Sequence, residues 1–196
     1  MNSGWLQVGA AAATSALLLF GAQPDSPSGM VLAVLAPLPL FVVGLWWGLF
    51  HGAATGAAAT IAILFAVSLE AGIYYAAVNA VPAALLMWQA EREPGKPVRL
   101  VLTLAACAAV PIVAAAFFFS GHDGGLEGVI QERLSPLLNA AVTDRAGTTP
   151  PQWASFIETI VGLFPALAST FWALLIAVNG ALAQGLLRRF GKNRLP

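Results

Sequence analysis

The chain has 196 residues, of which 59% are hydrophobic and only 9% charged, and its mean hydropathy is +0.80. Soluble domains carry about 25% charged residues, so the outside of this fold must face something apolar, and lipid is the candidate. Nine basic and nine acidic residues cancel to zero net charge, which argues against the basic face that nucleic acid demands, and a single cysteine, Cys107, excludes an internal disulfide framework or a CxxC metal site.

The composition predicts an all-α fold, a single transmembrane domain over residues 1–196 with about six spans. The first is expected at 5–22. It has no Lys or Arg ahead of it and ends without a small-residue cleavage site, so it reads as a retained span and not a signal peptide. A polar turn with Pro24 and Pro27 follows. Gly29 to Ala90 then carries only one formal charge, at Glu70. About 60 residues would make a helix roughly 90 Å long, so the chain must fold back twice. Turns near His51-Gly52 and Glu70-Gly72 divide it into spans at 30–50, 52–69 and 72–90. The loop Glu91 to Arg99 leads to a fifth span at 100–119, and the sixth is expected at 163–187, before a basic tail.

Residues 120–154 form a polar connection containing an amphipathic helix. Leu126, Val129, Ile130, Leu134, Leu137, Leu138 and Ala141 recur at helical spacing, while Glu127, Glu132, Arg133 and Asn139 take the other faces. Ser135-Pro136 is placed to cap and restart a second helix. This segment either lies in the outer interface or covers the mouth of the bundle. Charge sets the orientation, because Lys and Arg are retained on the cytoplasmic side. With the N-terminus inside, the Asp25 turn and the 120–154 connection fall outside. Arg92, Lys96 and Arg99, and the tail Arg188, Arg189, Lys192 and Arg194, fall inside with both termini. Trp5, Trp88 and Trp153 sit near the expected interfaces.

Gly44, Gly48, Gly52 and Gly56 stand four residues apart, a small-residue ridge for close helix packing. The ridge crosses the turn expected at His51-Gly52, so either that turn lies elsewhere or the glycines serve two helices. Pro37 and Pro39 break their helix in mid-span. Broken helices border binding cavities in transporters, and a kink that only shapes packing is the alternative. The polar residues at membrane depth suggest a ligand site lined by Tyr74, Asn79, Trp172 and Asn179. The competing reading gives these side chains interhelical hydrogen bonds. His51 is expected to be a solvated turn residue. No GxSxG, HExxH, Walker A or GxGxxG pattern occurs. No catalytic residue, metal or cofactor is assigned, and the chain is not read as an enzyme.

Two segments carry a resemblance. Leu35-Ala36-Pro37-Leu38-Pro39-Leu40-Phe41 with Gly44-Leu45-Trp46-Trp47-Gly48, and the closing Ala183-Gln184-Gly185-Leu186-Leu187-Arg188-Arg189-Phe190-Gly191-Lys192-Asn193, resemble the YybS-like family of bacterial membrane proteins. That family is distantly similar to the substrate-binding S components of energy-coupling-factor transporters and to the cell-shape family MreD. The resemblance implies a six-helix S-component-like bundle in the bacterial inner (cytoplasmic) membrane. Its implied role is binding or transport of an unidentified small molecule, or alternatively a membrane scaffold for partner proteins. In S components a small-xxx-small motif on the first helix meets the coupling subunit, and Ala12 and Ala16 have that spacing here. Family members are longer, which implies that this chain is truncated at its C-terminus.

Overall fold

The computed structural model describes residues 3–21, 27–93, 95–142 and 151–192. Asp25, Arg145 and Arg194, which enter the charge reading above, lie outside the described residues. The fold is all-α, with no strand among them. In chain order its helices are α1 (Ser3–Phe20), α2 (Pro27–Leu35), α3 (Leu38–Trp47), α4 (Leu49–Ala66) and α5 (Leu69–Tyr75). A π-helical segment (Ala76–Ala80) follows, then α6 (Val81–Arg92), α7 (Pro97–Phe118), α8 (Gly125–Val142) and α9 (Pro151–Arg189). Among the described residues five stretches are long and apolar enough to cross a membrane: Ser28–Trp47, Leu49–Ala66, Leu69–Arg92, Pro97–Phe118 and Glu158–Arg189. This is the helix composition of a multi-pass membrane protein. The first of the six expected spans is the exception, since Gly4–Phe20 is apolar but shorter than any of these.

The chain divides into two compact units, Met1–Ala105 with Ala173–Pro196, and Ala106–Trp172. In the first unit α4 is the hub: α1, α3, α5 and α6 all pack on it. The chain reverses between α3 and α4 through Gly48 alone, whose φ of 101° and ψ of 167° fall in a region that is essentially glycine-only. Eight residues of continuous helix would separate Gly44 and Gly52 by about 12 Å. Instead a Cβ on Gly52 would lie 2.8 Å from the Gly44 Cα, and a Cβ on Gly44 would collide with the Met87 sulfur. The four glycines thus divide between two antiparallel helices and the turn that joins them. Gly56, farther along α4, faces Ala80 at 3.0 Å.

A second reversal, at Val67-Ser68, repeats the device. Ser68 caps α5 by accepting from Ala71 N at 3.1 Å, and a Cβ on Gly72 would lie 2.8 Å from the Leu64 Cβ. Both reversals fall before the residues expected to mark them. His51 and Glu70 occupy the first turn of the following helix, because the backbone reverses at a glycine and at a serine cap, not at the most polar residue. His51, expected to be a solvated turn residue, follows the turn and stands in the first turn of α4. It is half-buried, with the rings of Trp5, Trp47 and Phe50 at 5.5, 6.0 and 6.0 Å. The core of the unit contains Leu40, Phe41, Ile63, Tyr75, Met87 and Ile176.

In the second unit α8 is one helix that continues through Pro136, where a restart was expected. Proline there removes a single donor and is tolerated without a break. Leu126, Val129, Ile130, Leu134 and Leu138 are half-buried, as the amphipathic pattern requires, but Leu137 is exposed. The side chains of Asn139 and Ala141 lie outside the described residues. Gly162 on α9 comes close to Glu127 on α8, and Val161 is buried.

Candidate functional site

The chemistry of the first unit begins at the break between α2 and α3. Pro37 and Pro39 have no N–H, so the carbonyls of Ala33 and Leu35 lose their regular helical donors. The chain adjusts by tightening. Ala36 N reaches Ala33 O at 3.2 Å, and Leu40 N and Phe41 N both turn to Pro37 O at 3.1 and 3.3 Å. Carbonyls released from a helix at membrane depth must find donors within the protein.

Side chains from α1 and α9 donate to two neighbouring carbonyls of the break, those of Ala36 and Val34, and Tyr75 of α5 supports the first of them. Ser15 on α1 donates to Ala36 O at 2.5 Å, and its oxygen also contacts the Tyr75 hydroxyl at the end of α5. A serine has one proton to give. That proton is committed to Ala36 O, so the Tyr75 hydroxyl is the donor to Ser15. Asn179 on α9 donates through Nδ2 to Val34 O and to Leu175 O, both at 2.8 Å. These two carbonyls fix the amide orientation, since the flipped form would set Oδ1 against two acceptors. Ser15, Tyr75 and Asn179 are all fully buried. Among the described residues the Asn179 Oδ1 has no hydrogen-bond partner, so the knot retains one open acceptor.

Of the four residues read as a ligand site, Asn179 belongs to this knot. Asn79 is 8% exposed and lies in the π-helical segment that begins directly after Tyr75. Tyr74 is 62% exposed, and its neighbour Tyr75 takes the buried position. Trp172 falls in the second unit. Sequence reasoning missed Ser15 and Tyr75. A signal for Ser15 exists: with Val8, Ala12 and Ala16 it forms a buried stripe along α1, and a hydroxyl in a stripe of small residues marks a helix contact. Ala12 and Ala16, each 4% exposed, are taken up inside this bundle, on a helix packed against α3 and α4.

A second cluster gathers at the Gly48 turn. Glu91, near the end of α6, accepts from Leu49 N at 2.8 Å and so places a carboxylate at the positive end of α4. Trp47 Nε1 donates to Gln7 Oε1. The Arg92 guanidinium lies 4.6 Å from the Trp88 ring and the Lys192 ammonium 5.6 Å from the Trp46 ring. An open cleft of about 540 Å³ runs between this turn, Met87 and Glu91. Among the described residues no three His, Cys, Asp or Glu side chains come together as a metal site. Aromatic rings interleaved with cations are the chemistry of a membrane–water interface. Compared with known proteins, the chain matches no family model, no curated protein and no solved structure.

Proposed function

We propose that this protein is a membrane scaffold, a multi-pass bundle that holds a partner protein in the bilayer and does not carry a water-soluble ligand. The observation behind this reading is the destination of its buried polarity. Ser15, Tyr75 and Asn179 serve the broken helix, and the Thr55 and Thr60 hydroxyls bond carbonyls four residues back at 2.8 Å. By contrast α7 runs for 22 residues without one buried. Its Ala105, Ala106, Ala108 and Ala109 suit the close approach of another helix. In this reading Gly4–Phe20 is a sixth crossing and the basic segments face the cytoplasm with both termini, in a bacterial inner membrane. The resemblance to YybS-like proteins, with MreD among their relatives, supports the same role.

One observation favours a second reading, a small-molecule binding or transport subunit like an S component. The α2–α3 break and the unpartnered Asn179 Oδ1 are the kinds of group that transporters turn toward a ligand.

A photo-crosslinking residue at Val101, Val110 or Val113 of α7 separates the two. The scaffold reading expects a protein adduct of one fixed mass from living cells at two or more of these positions. Adducts to lipid alone, together with a soluble ligand whose thermal stabilisation is lost in Asn179→Ala, would replace it with the second reading.

A further inference from the structure

The cleft at the Gly48 turn combines aromatic rings with a carboxylate. Its lining comes from three helices: Trp47 closes α3, Phe50 and His51 stand in the first turn of α4, and Met87 and Glu91 belong to α6. At about 540 Å³ it falls within the range of small-molecule sites, about 300–1,000 Å³. Gly44 and Gly48 also line it, and their missing side chains leave the space open. The walls are held from behind. The Trp47 indole donates to Gln7 on α1, Trp5 lies 5.9 Å from the Phe50 ring and 5.5 Å from the His51 ring, and Met87 is buried.

This lining favours one sign of charge. Among the described residues around the cleft Glu91 is the one acid, and no Lys or Arg joins it. Glu91 accepts from Leu49 N at 2.8 Å, and no basic side chain among the described residues pairs with it. The neighbouring cations are engaged elsewhere. Arg92 lies over the Trp88 ring and Lys192 over the Trp46 ring, while Lys96 and Arg99 engage Glu93. An anion in the cleft would meet a carboxylate and the negative faces of aromatic rings. A neutral molecule would gain nothing from the carboxylate. A cation uses both, and aromatic walls suit the alkylated ammonium best, because its methyl groups pack on the rings that attract its charge.

We propose that this cleft binds a substituted ammonium group, with the Glu91 carboxylate as its counter-charge and the Trp47 and Phe50 rings as its walls. Two sources share that chemistry: the headgroup of a zwitterionic phospholipid and a free organic cation. The group is held at the helix ends and not carried across, so the site stands under either reading of the protein's role.

The test uses the full chain, purified in detergent and freed of lipid. Choline chloride should raise the melting temperature to a plateau. Dimethylbutanol, its uncharged carbon isostere, and equal sodium chloride should not. Glu91→Gln keeps an acceptor for Leu49 N but loses the charge, so it should still fold and should weaken choline about fivefold. Phe50→Leu replaces a ring that is 69% exposed; it should fold and weaken choline about two- to fivefold. Phosphatidylethanolamine and phosphatidylglycerol of identical acyl chains separate the two sources. Stabilisation by the first above the second, lost in Glu91→Gln, supports the proposal with a headgroup as occupant. A plateau with choline and no preference between the lipids supports it with a free cation. Equal responses to choline, dimethylbutanol and sodium chloride, together with no preference between the lipids, overturn it. So does a choline effect that is undiminished in Glu91→Gln and Phe50→Leu.

Discussion

The bonding order in the knot makes two hydroxyl deletions unequal. Ser15 donates to Ala36 O and accepts from Tyr75, so Ser15→Ala strands a buried carbonyl and a buried phenol at once. Each stranded group costs about 1–3 kcal/mol. The lower half of that sum applies here, about 2–4 kcal/mol, because groups in a membrane interior find substitute partners more readily. Tyr75→Phe leaves the ring in place and the bond from Ser15 to Ala36 intact. It removes one interhelical hydrogen bond, which averages about 0.6 kcal/mol in a membrane. The double variant removes the stranded phenol along with its lost partner. It should therefore be no less stable than Ser15→Ala alone, a non-additivity of about 1 kcal/mol or more for contacting groups. Reversible unfolding of the purified protein by titrating dodecyl sulfate into mixed micelles, followed by tryptophan fluorescence, measures all three. If Tyr75→Phe costs as much as Ser15→Ala, or if the two effects simply add, the assigned direction of the chain of hydrogen bonds is wrong.

The other predictions concern backbone and amide. Gly48→Ala should cost about 1–3 kcal/mol, since the residue holds a conformation closed to side chains, and a thermal melt in detergent reads this out. Gly52→Ala meets backbone at 2.8 Å and should cost about 1–3 kcal/mol by overpacking, whereas Gly185→Ala, with nothing within 4 Å, should leave the melt unchanged. Asn179→Asp should be worse than Asn179→Ala by about 2.5–3.5 kcal/mol, because a buried carboxylate would face two carbonyls. The steady-state amount of folded protein in the membrane compares that pair, and an aspartate variant that accumulates as well as the alanine one would contradict the assigned geometry.

Much of the helix layout was legible because it depends on local chemistry. Apolar runs give the long helices, and two prolines lacking N–H groups give the α2–α3 break wherever they stand. The turn between α3 and α4 was misplaced for an equally physical reason. Four glycines at even spacing all permit a reversal, and only packing against Met87 and Ala80 decides that Gly48 turns while Gly44, Gly52 and Gly56 stay helical. Tyr74 and Tyr75 are likewise equivalent in sequence. Their difference is one of helical phase, 100° on a 3.6-residue turn, set by how α5 and the π-helical segment lie on α4. Ser15 was hidden in an alanine-rich helix with little contrast between its faces. The partner that gives it meaning, the Ala36 carbonyl at the α2–α3 break, lies 21 residues away. Asn179 was legible as a polar residue at depth, but its partner Val34 O is 145 residues distant, and no spacing rule reaches that far.

The single-residue junction at Gly48 has a consequence for how the protein is made. From Ser28 to Ala66 the sequence contains no Asp, Glu, Lys or Arg, and α3 and α4 meet Gly44 to Gly52 with no loop between them. The ribosome delivers α3 first, but its glycine face is complete only when α4 has emerged to cover it. The two arms therefore leave the insertion machinery as one object, and the first waits for the second. An error at Gly48 would act during that interval, when the exposed arm is open to quality-control proteases. Lower abundance would then accompany the lower melting temperature of the molecules that survive.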